Sequence, residues 1–223
     1  MDARNGMDTP HLSSPAARQP SFAICAYVPC DPTPISALAS GRVTGLWLGE
    51  DWHIGAFGPL AAAISQWQAH NRRLSIAIAL KPRDLCDPCL GDDLVEAMEG
   101  HTIDPSAIVL HCGEDDVFDG GPAALASLER LAGQGFRLVL KVQSKPLLSL
   151  DKRLRRLFCG LSCDVRDLYA THSEAENAYT RRLLAARAAH FDIIARGDIG
   201  PSLRAHCAAL GVTHIQAGTD HIQ

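Results

Sequence analysis

From Phe22 onward, short apolar runs alternate with stretches whose apolar residues recur at helical spacing. The runs predict strands at Phe22–Val28, Val43–Leu48, Leu74–Leu80, Ala107–Cys112, Phe136–Val142, Gly160–Asp164, Phe191–Ala195 and Thr213–Ala217. Several are unbroken, as expected of parallel strands buried on both faces. Between them, Leu60, Ile64 and Trp67 mark a helix over Pro59–His70, and similar spacing predicts helices at Asp92–Met98 and Pro122–Gly133. Ser173 with Glu176 has the form of a capping box opening a helix over Glu174–His190. Pro201 and Gly211 bracket a last helix, Pro201–Leu210. Repeated strand–helix alternation predicts an α/β fold, a TIM-like (β/α) barrel, with an open doubly wound sheet as the alternative. Residues 1–20 mix Pro, Ser, Asp and Arg without periodicity and predict a disordered tail, leaving 21–223 as one domain.

Composition narrows the function classes. The 223 residues are 47% apolar and 21% charged, with a formal net charge of -4. With no basic excess to release counterions, nucleic acid is not an expected partner. No run of about 18 apolar residues predicts a membrane span. The apolar stretch at 21–28 lacks a cleavage pattern, so a cytoplasmic protein is expected. The eight cysteines are then expected to be reduced. Cys86-Asp87-Pro88-Cys89 has a spacing that can ligate zinc or support redox chemistry. A zinc site would need a second pair, for which Cys159 and Cys163 are the candidates. Both pairs also suit buried strands or the turns that follow them, and no zinc or other cofactor is expected.

Six segments resemble, in order and spacing, landmarks of the EAL-domain family of cyclic di-GMP phosphodiesterases. The run 76–85, ending Arg83-Asp84-Leu85, resembles the segment around the family's metal-binding Asn. The stretch 107–114 is similar to the strand ending in Glu-Ile-Thr-Glu, and 133–141 to the approach to Asp-Asp-Phe-Gly. Leu161-Ser162-Cys163-Asp164 falls where the family has Lys-Ile-Asp, Ala195-Arg196-Gly197 where it has Ala-Glu-Gly, and 210–216 resembles the closing segment with its Gln. The resemblance implies an EAL-type barrel, somewhat truncated, since some twenty residues are missing before the helix at Pro59.

The letters that carry the family's chemistry differ. Ala79 stands for the Asn, His111 for the first Glu, Lys141 and Val142 for the paired aspartates, Ser162 for the Lys and Arg196 for the Glu of Ala-Glu-Gly. The signature Glu-Ala-Leu falls near Leu46-Trp47-Leu48, without a carboxylate. Only Asp164 and Gln216 keep the family's letter. In a parallel barrel these positions converge at the carboxyl ends of the strands. Mg²⁺ and Mn²⁺ require hard oxygen ligands, and one unit charge about 4 Å from another feels about 4 kcal/mol at an effective dielectric of 20. Two cations in place of carboxylates therefore predict a vestigial mouth with no catalytic residue and no metal. Lys141 and Arg196 are expected to pair internally with Asp164, Asp198 or Glu114 rather than to receive an anion. His111 and Cys112, as consecutive strand residues, should face opposite ways. Lys152, Arg153, Arg155 and Arg156 form a basic cluster expected to be a solvated helix face. The resemblance implies a catalytically inactive bacterial regulatory protein acting through a protein partner. The alternative is a non-hydrolysing cyclic di-GMP receptor, disfavoured because few ligand-contacting letters survive.

Overall fold

The computed structural model describes residues 25–29, 45–47, 57–70, 75–143, 147–168 and 174–217. The tail expected at 1–20 and the capping residue Ser173 lie outside these. Among the described residues, β1 (Cys25–Pro29), β2 (Gly45–Trp47), β3 (Ser75–Ala79), β4 (Ile108–Gly113), β5 (Arg137–Lys141), β6 (Gly160–Asp164), β7 (Asp192–Arg196) and β8 (His214–Ala217) close into a barrel in chain order. Each strand from β2 to β8 runs parallel to its sheet neighbours in that series. β1 departs from a uniformly parallel barrel: it is antiparallel to both β2 and β8. This is a TIM-like (β/α) barrel with one reversed strand, and apolar patterning carries no information about strand direction.

The helices are α1 (Phe57–His70), α2 (Pro82–Leu85), α3 (Leu90–Glu99), α4 (Glu114–Gly133), α5 (Lys152–Leu157), α6 (Glu174–Ala188) and α7 (Pro201–Leu210). The core lies between them and the outer strand faces. Ile76, Ile78, Leu110, Leu138, Leu140, Leu161 and Ile193 pack with Phe57 and Ile64 of α1, Leu94 of α3, Leu128 and Leu131 of α4, and Leu183 of α6. Most are completely buried, and each such side chain contributes roughly 1.5–3 kcal/mol over its exposed state. No helix among the described residues is long and apolar enough to cross a membrane.

Two glycines shape the frame. α4 breaks at Gly121, whose φ of 54° and ψ of -137° suit no other residue, and Pro122 restarts the helix with its φ already set. The sequence therefore marks only the second half of α4, and the first turn from Glu114 is unforeseen. At Gly160, a Cβ would lie 2.7 Å from the Asp192 carbonyl oxygen on the neighbouring strand. Since neither backbone can retreat without breaking the ladder, Gly160→Ala is expected to cost about 1–3 kcal/mol of stability. A urea midpoint unchanged from wild type would refute that close approach.

Candidate functional site

Alternation along the strands sorts the residues into two sets. Those at Ile78, Leu110, Leu140, Cys163 and Ala195 belong to the outer core. Their neighbours turn inward, where Trp47, Ala77, Val109, Val139 and Ile194 fill the barrel with apolar volume. One layer higher, at the carboxyl ends, the inward positions become polar: His111, Lys141, Ser162, Asp164, Arg196 and Gln216. Their register fixes the adjacency, since Lys141 faces Ser162, Asp164 faces Arg196, and Arg196 faces Gln216 on adjoining strands.

Above this layer opens a cavity of about 650 Å³, lined among others by Trp47, Ala79, His111, Lys141, Asp164 and Arg196. The structure thus brings together most of the positions singled out from sequence. Val142 touches the cavity, yet it is buried and packs with the outer core. Ser162 is fully buried beneath the mouth, and its hydroxyl has no hydrogen-bond partner among the described residues. The same is true of Arg196 Nε and Gln216 Oε1. Buried polar atoms are normally satisfied, so these three call for a water or a ligand group.

The sequence missed the charges just beyond the strand ends. Lys81, Asp115, Asp116 and Asp167 also line the cavity. Asp115 and Asp116 open α4 directly after β4, and Asp167 follows β6 in a short 3₁₀ turn, Val165–Leu168. The signal was available, because loops after barrel strands build the mouth. Charges therefore alternate around the rim: Asp115 and Asp116, then Lys141, then Asp164 and Asp167, then Arg196.

The environment sets their protonation. Burial pushes the Asp116 carboxyl up, as does the charge of Asp115, while the Gly113 amide and Lys141 oppose the rise. Burial and then the Asp164 charge raise Asp167, against Arg166 and Arg196. Asp164 is held low by Arg166, whose guanidinium meets both carboxylate oxygens at 2.7 and 3.0 Å, with Arg196 assisting at longer range. His111 is buried, and its ring meets Trp47 edge-on with centroids 4.9 Å apart. Burial, then Arg196 and Lys141, lower its pKa to about 3, so it is a neutral imidazole at ordinary pH. Cys112 points the other way, into the outer core, as expected.

Asp164, Glu114 and Asp198 are the partners expected for Arg196 and Lys141. Arg196 influences Asp164 electrostatically, but the direct partner of Asp164 is Arg166. Glu114 lies fully buried, with Arg182 Nη2 of α6 2.6 Å from its Oε1. The remaining lone pairs of Glu114 accept backbone N–H groups of Gln143, Leu147 and Leu148, which fastens the segment after β5. Asp198 is exposed.

The two cysteine pairs do not meet. Cys86 and Cys89 lie in the turn region that follows β3, between α2 and α3, and are exposed. Cys159 precedes β6 at the opposite end of the barrel, and Cys163 is buried in the outer core. No three His, Cys, Asp or Glu side chains among the described residues are grouped to hold a metal ion. The mouth sets the cations Lys141 and Arg196 among the carboxylates of Asp115, Asp116, Asp164 and Asp167. On α5, Arg153 pairs with Glu129 at 2.7 Å, and Lys152, Arg155 and Arg156 are exposed, a solvated face.

This architecture, a β/α barrel with one reversed strand and a mouth at the carboxyl ends, defines a class. Solved structures identify it as the EAL-type barrel. The phosphodiesterase PaMucR in complex with c-di-GMP superimposes with a TM-score of 0.73 at 18% identity, covering 90% of each chain. The EAL enzyme Bd1971, in its cGMP-bound form, gives 0.71 at 14% identity over 91% of this chain and 61% of that one. The EAL domain of Mycobacterium smegmatis DcpA gives 0.66 at 16%, covering 88% of this chain and 90% of its own. At such identities the likeness is one of fold. No family model matches the sequence, and no curated protein is significantly similar to it.

Proposed function

We propose that this chain is a regulatory protein of bacterial cyclic di-GMP signalling, one that carries the EAL-type barrel without its metal-dependent hydrolysis and acts by binding another protein. The observation that carries the reading is that two cations, Lys141 and Arg196, line the cavity at the strand ends together with a buried, neutral His111. A divalent ion entering there would meet two fixed positive charges, and each unit of charge at about 4 Å is worth about 4 kcal/mol at an effective dielectric of 20. The rim carboxylates offset this only in part, since Asp164 is committed to Arg166 through both oxygens. Without metals there is no activated water and no clamp on the phosphate.

The test is direct. Purified protein incubated with cyclic di-GMP and Mg²⁺ or Mn²⁺ is expected to release no more linear dinucleotide than a protein-free blank. Turnover that a chelator abolishes would sink the proposal. For the partner, a captured protein should re-form a complex of fixed stoichiometry from purified components, and an inert, monodisperse chain would count against that half of the reading.

A second reading, a cyclic di-GMP receptor that does not cleave, is favoured by the open cavity. Its volume of about 650 Å³ falls within the range of roughly 300–1,000 Å³ typical of small-molecule sites. Calorimetric titration separates the two: saturating heat at one ligand per chain would place the receptor first.

A further inference from the structure

We propose that Cys86 and Cys89 are a reversible dithiol–disulfide pair that exchanges with small-molecule disulfides. Cys86 caps the end of α2 with a helical backbone (φ -92°, ψ -7°), and Cys89 caps the start of α3 with nearly the same angles (φ -94°, ψ -16°). The two thiols thus flank a two-residue turn, Asp87 and Pro88, in the C-x-x-C spacing that supports dithiol–disulfide chemistry. A disulfide requires Cβ atoms about 3.5–4.5 Å apart, a separation that a two-residue turn can span. The turn is already ordered for it. Cys86 N–H donates to the Arg83 carbonyl at 3.2 Å, Asp87 N–H to the Asp84 carbonyl at 3.2 Å, and Cys89 N–H to Asp87 Oδ1 at 2.9 Å. Pro88 fixes one further dihedral.

Accessibility selects this pair. Among the described residues Cys86 and Cys89 are the exposed thiols; Cys112, Cys163 and Cys207 are buried and Cys159 is half-buried. Burial raises the pKa of Cys112, Cys159 and Cys207 and pushes Cys163 up to about 12, so little thiolate forms at those sites. Thiolate, not thiol, is the nucleophile. No third His, Cys, Asp or Glu among the described residues completes a metal site with the pair, which favours disulfide over zinc.

The exchange balances in two steps. The thiolate of one cysteine attacks a sulfur of the reagent disulfide, forming a mixed disulfide and expelling one reagent thiolate. The second cysteine's thiolate then attacks the protein sulfur of that bond, forming Cys86–Cys89 and expelling the other. The two thiol protons pass to the two leaving groups, and two electrons pass from protein to reagent. The new bond would tie the end of α2 to the start of α3, one short helix away from Lys81 and Pro82 at the mouth.

The full-length chain is equilibrated with glutathione mixtures from fully reduced to fully oxidised, quenched in acid, unfolded, alkylated and peptide-mapped. The expected result is a segment carrying Cys86 and Cys89 that becomes lighter by two hydrogens and resists alkylation, reversibly, as the mixture is oxidised. Cys86→Ser and Cys89→Ser should each halt with one glutathione on the remaining thiol. Both thiols alkylated across the whole series would overturn the proposal. So would glutathione on both, pairing of either with Cys25 or Cys30, or one zinc per chain by elemental analysis.

Discussion

Exchange of Arg182 for methionine is expected to lower the free energy of unfolding by about 3–5 kcal/mol, because it strands a buried carboxylate. Glu114 is fully buried and Arg182 nearly so, with Nη2 2.6 Å from Oε1. The contact is an ion pair at an angle outside hydrogen-bond geometry, and the guanidinium nitrogens have no hydrogen-bond partner among the described residues. The pair is therefore not the two-pronged arrangement that makes such bridges strongest. Three backbone N–H groups also reach Glu114, and they soften the loss by sharing its charge. The drop is thus expected near the lower end of the range. Glu114→Gln combined with Arg182→Met should recover much of it, since a neutral amide can still accept from the segment after β5 without an uncompensated charge. Urea unfolding of both variants measures this. A single variant within 1 kcal/mol of wild type, or a double variant no better than the single, would show that charge is not what the pair contributes.

That pair also shows where the sequence stops being informative. Strands β3 to β7 were legible because burial on both faces demands nearly unbroken apolar runs, such as Ile76–Leu80 and Leu138–Leu140. Ala79, His111, Lys141 and Arg196 could be assigned to one mouth because strand ends converge in any such barrel. Glu114 was also visible, but as a possible partner for Lys141 or Arg196. Its partner Arg182 lies on α6, far along the chain, and no local pattern encodes a contact so distant in sequence. Asp115, Asp116 and Asp167 lie two or three residues beyond their strands, outside the periodic runs. Their omission made the mouth look more cationic than it is. Helix α2, Pro82–Leu85, was missed for a related reason, since a single turn is too brief for periodicity to announce.

Lowering the pH from 7 to 4.5 should remove roughly 2–3 kcal/mol of stability through His111 alone. Burial first, and then Arg196 and Lys141, hold its pKa at about 3 in the fold, against about 6.5 for a solvated histidine. Between those values the unfolded chain binds the proton and the folded chain does not, so stability rises with pH. The contribution is complete above about pH 6.5 and lost progressively toward pH 3, by about 1.4 kcal/mol per pH unit. Other groups titrate nearby with mixed signs. His214 is also lowered, mainly by burial, and adds to the acid loss, whereas the raised Asp116 and Asp167 oppose it at lower pH. The informative quantity is therefore the difference between wild type and His111→Gln, a neutral replacement that sacrifices the edge contact with Trp47 at every pH. Wild type should lose its advantage, or fall below the variant, as the urea midpoints are followed from pH 7 to 4.5. A difference that stays constant would mean that His111 takes up its proton in the fold as readily as in the unfolded chain. In acid the mouth would then gain a third cation beside Lys141 and Arg196, and burial would no longer account for a neutral ring there.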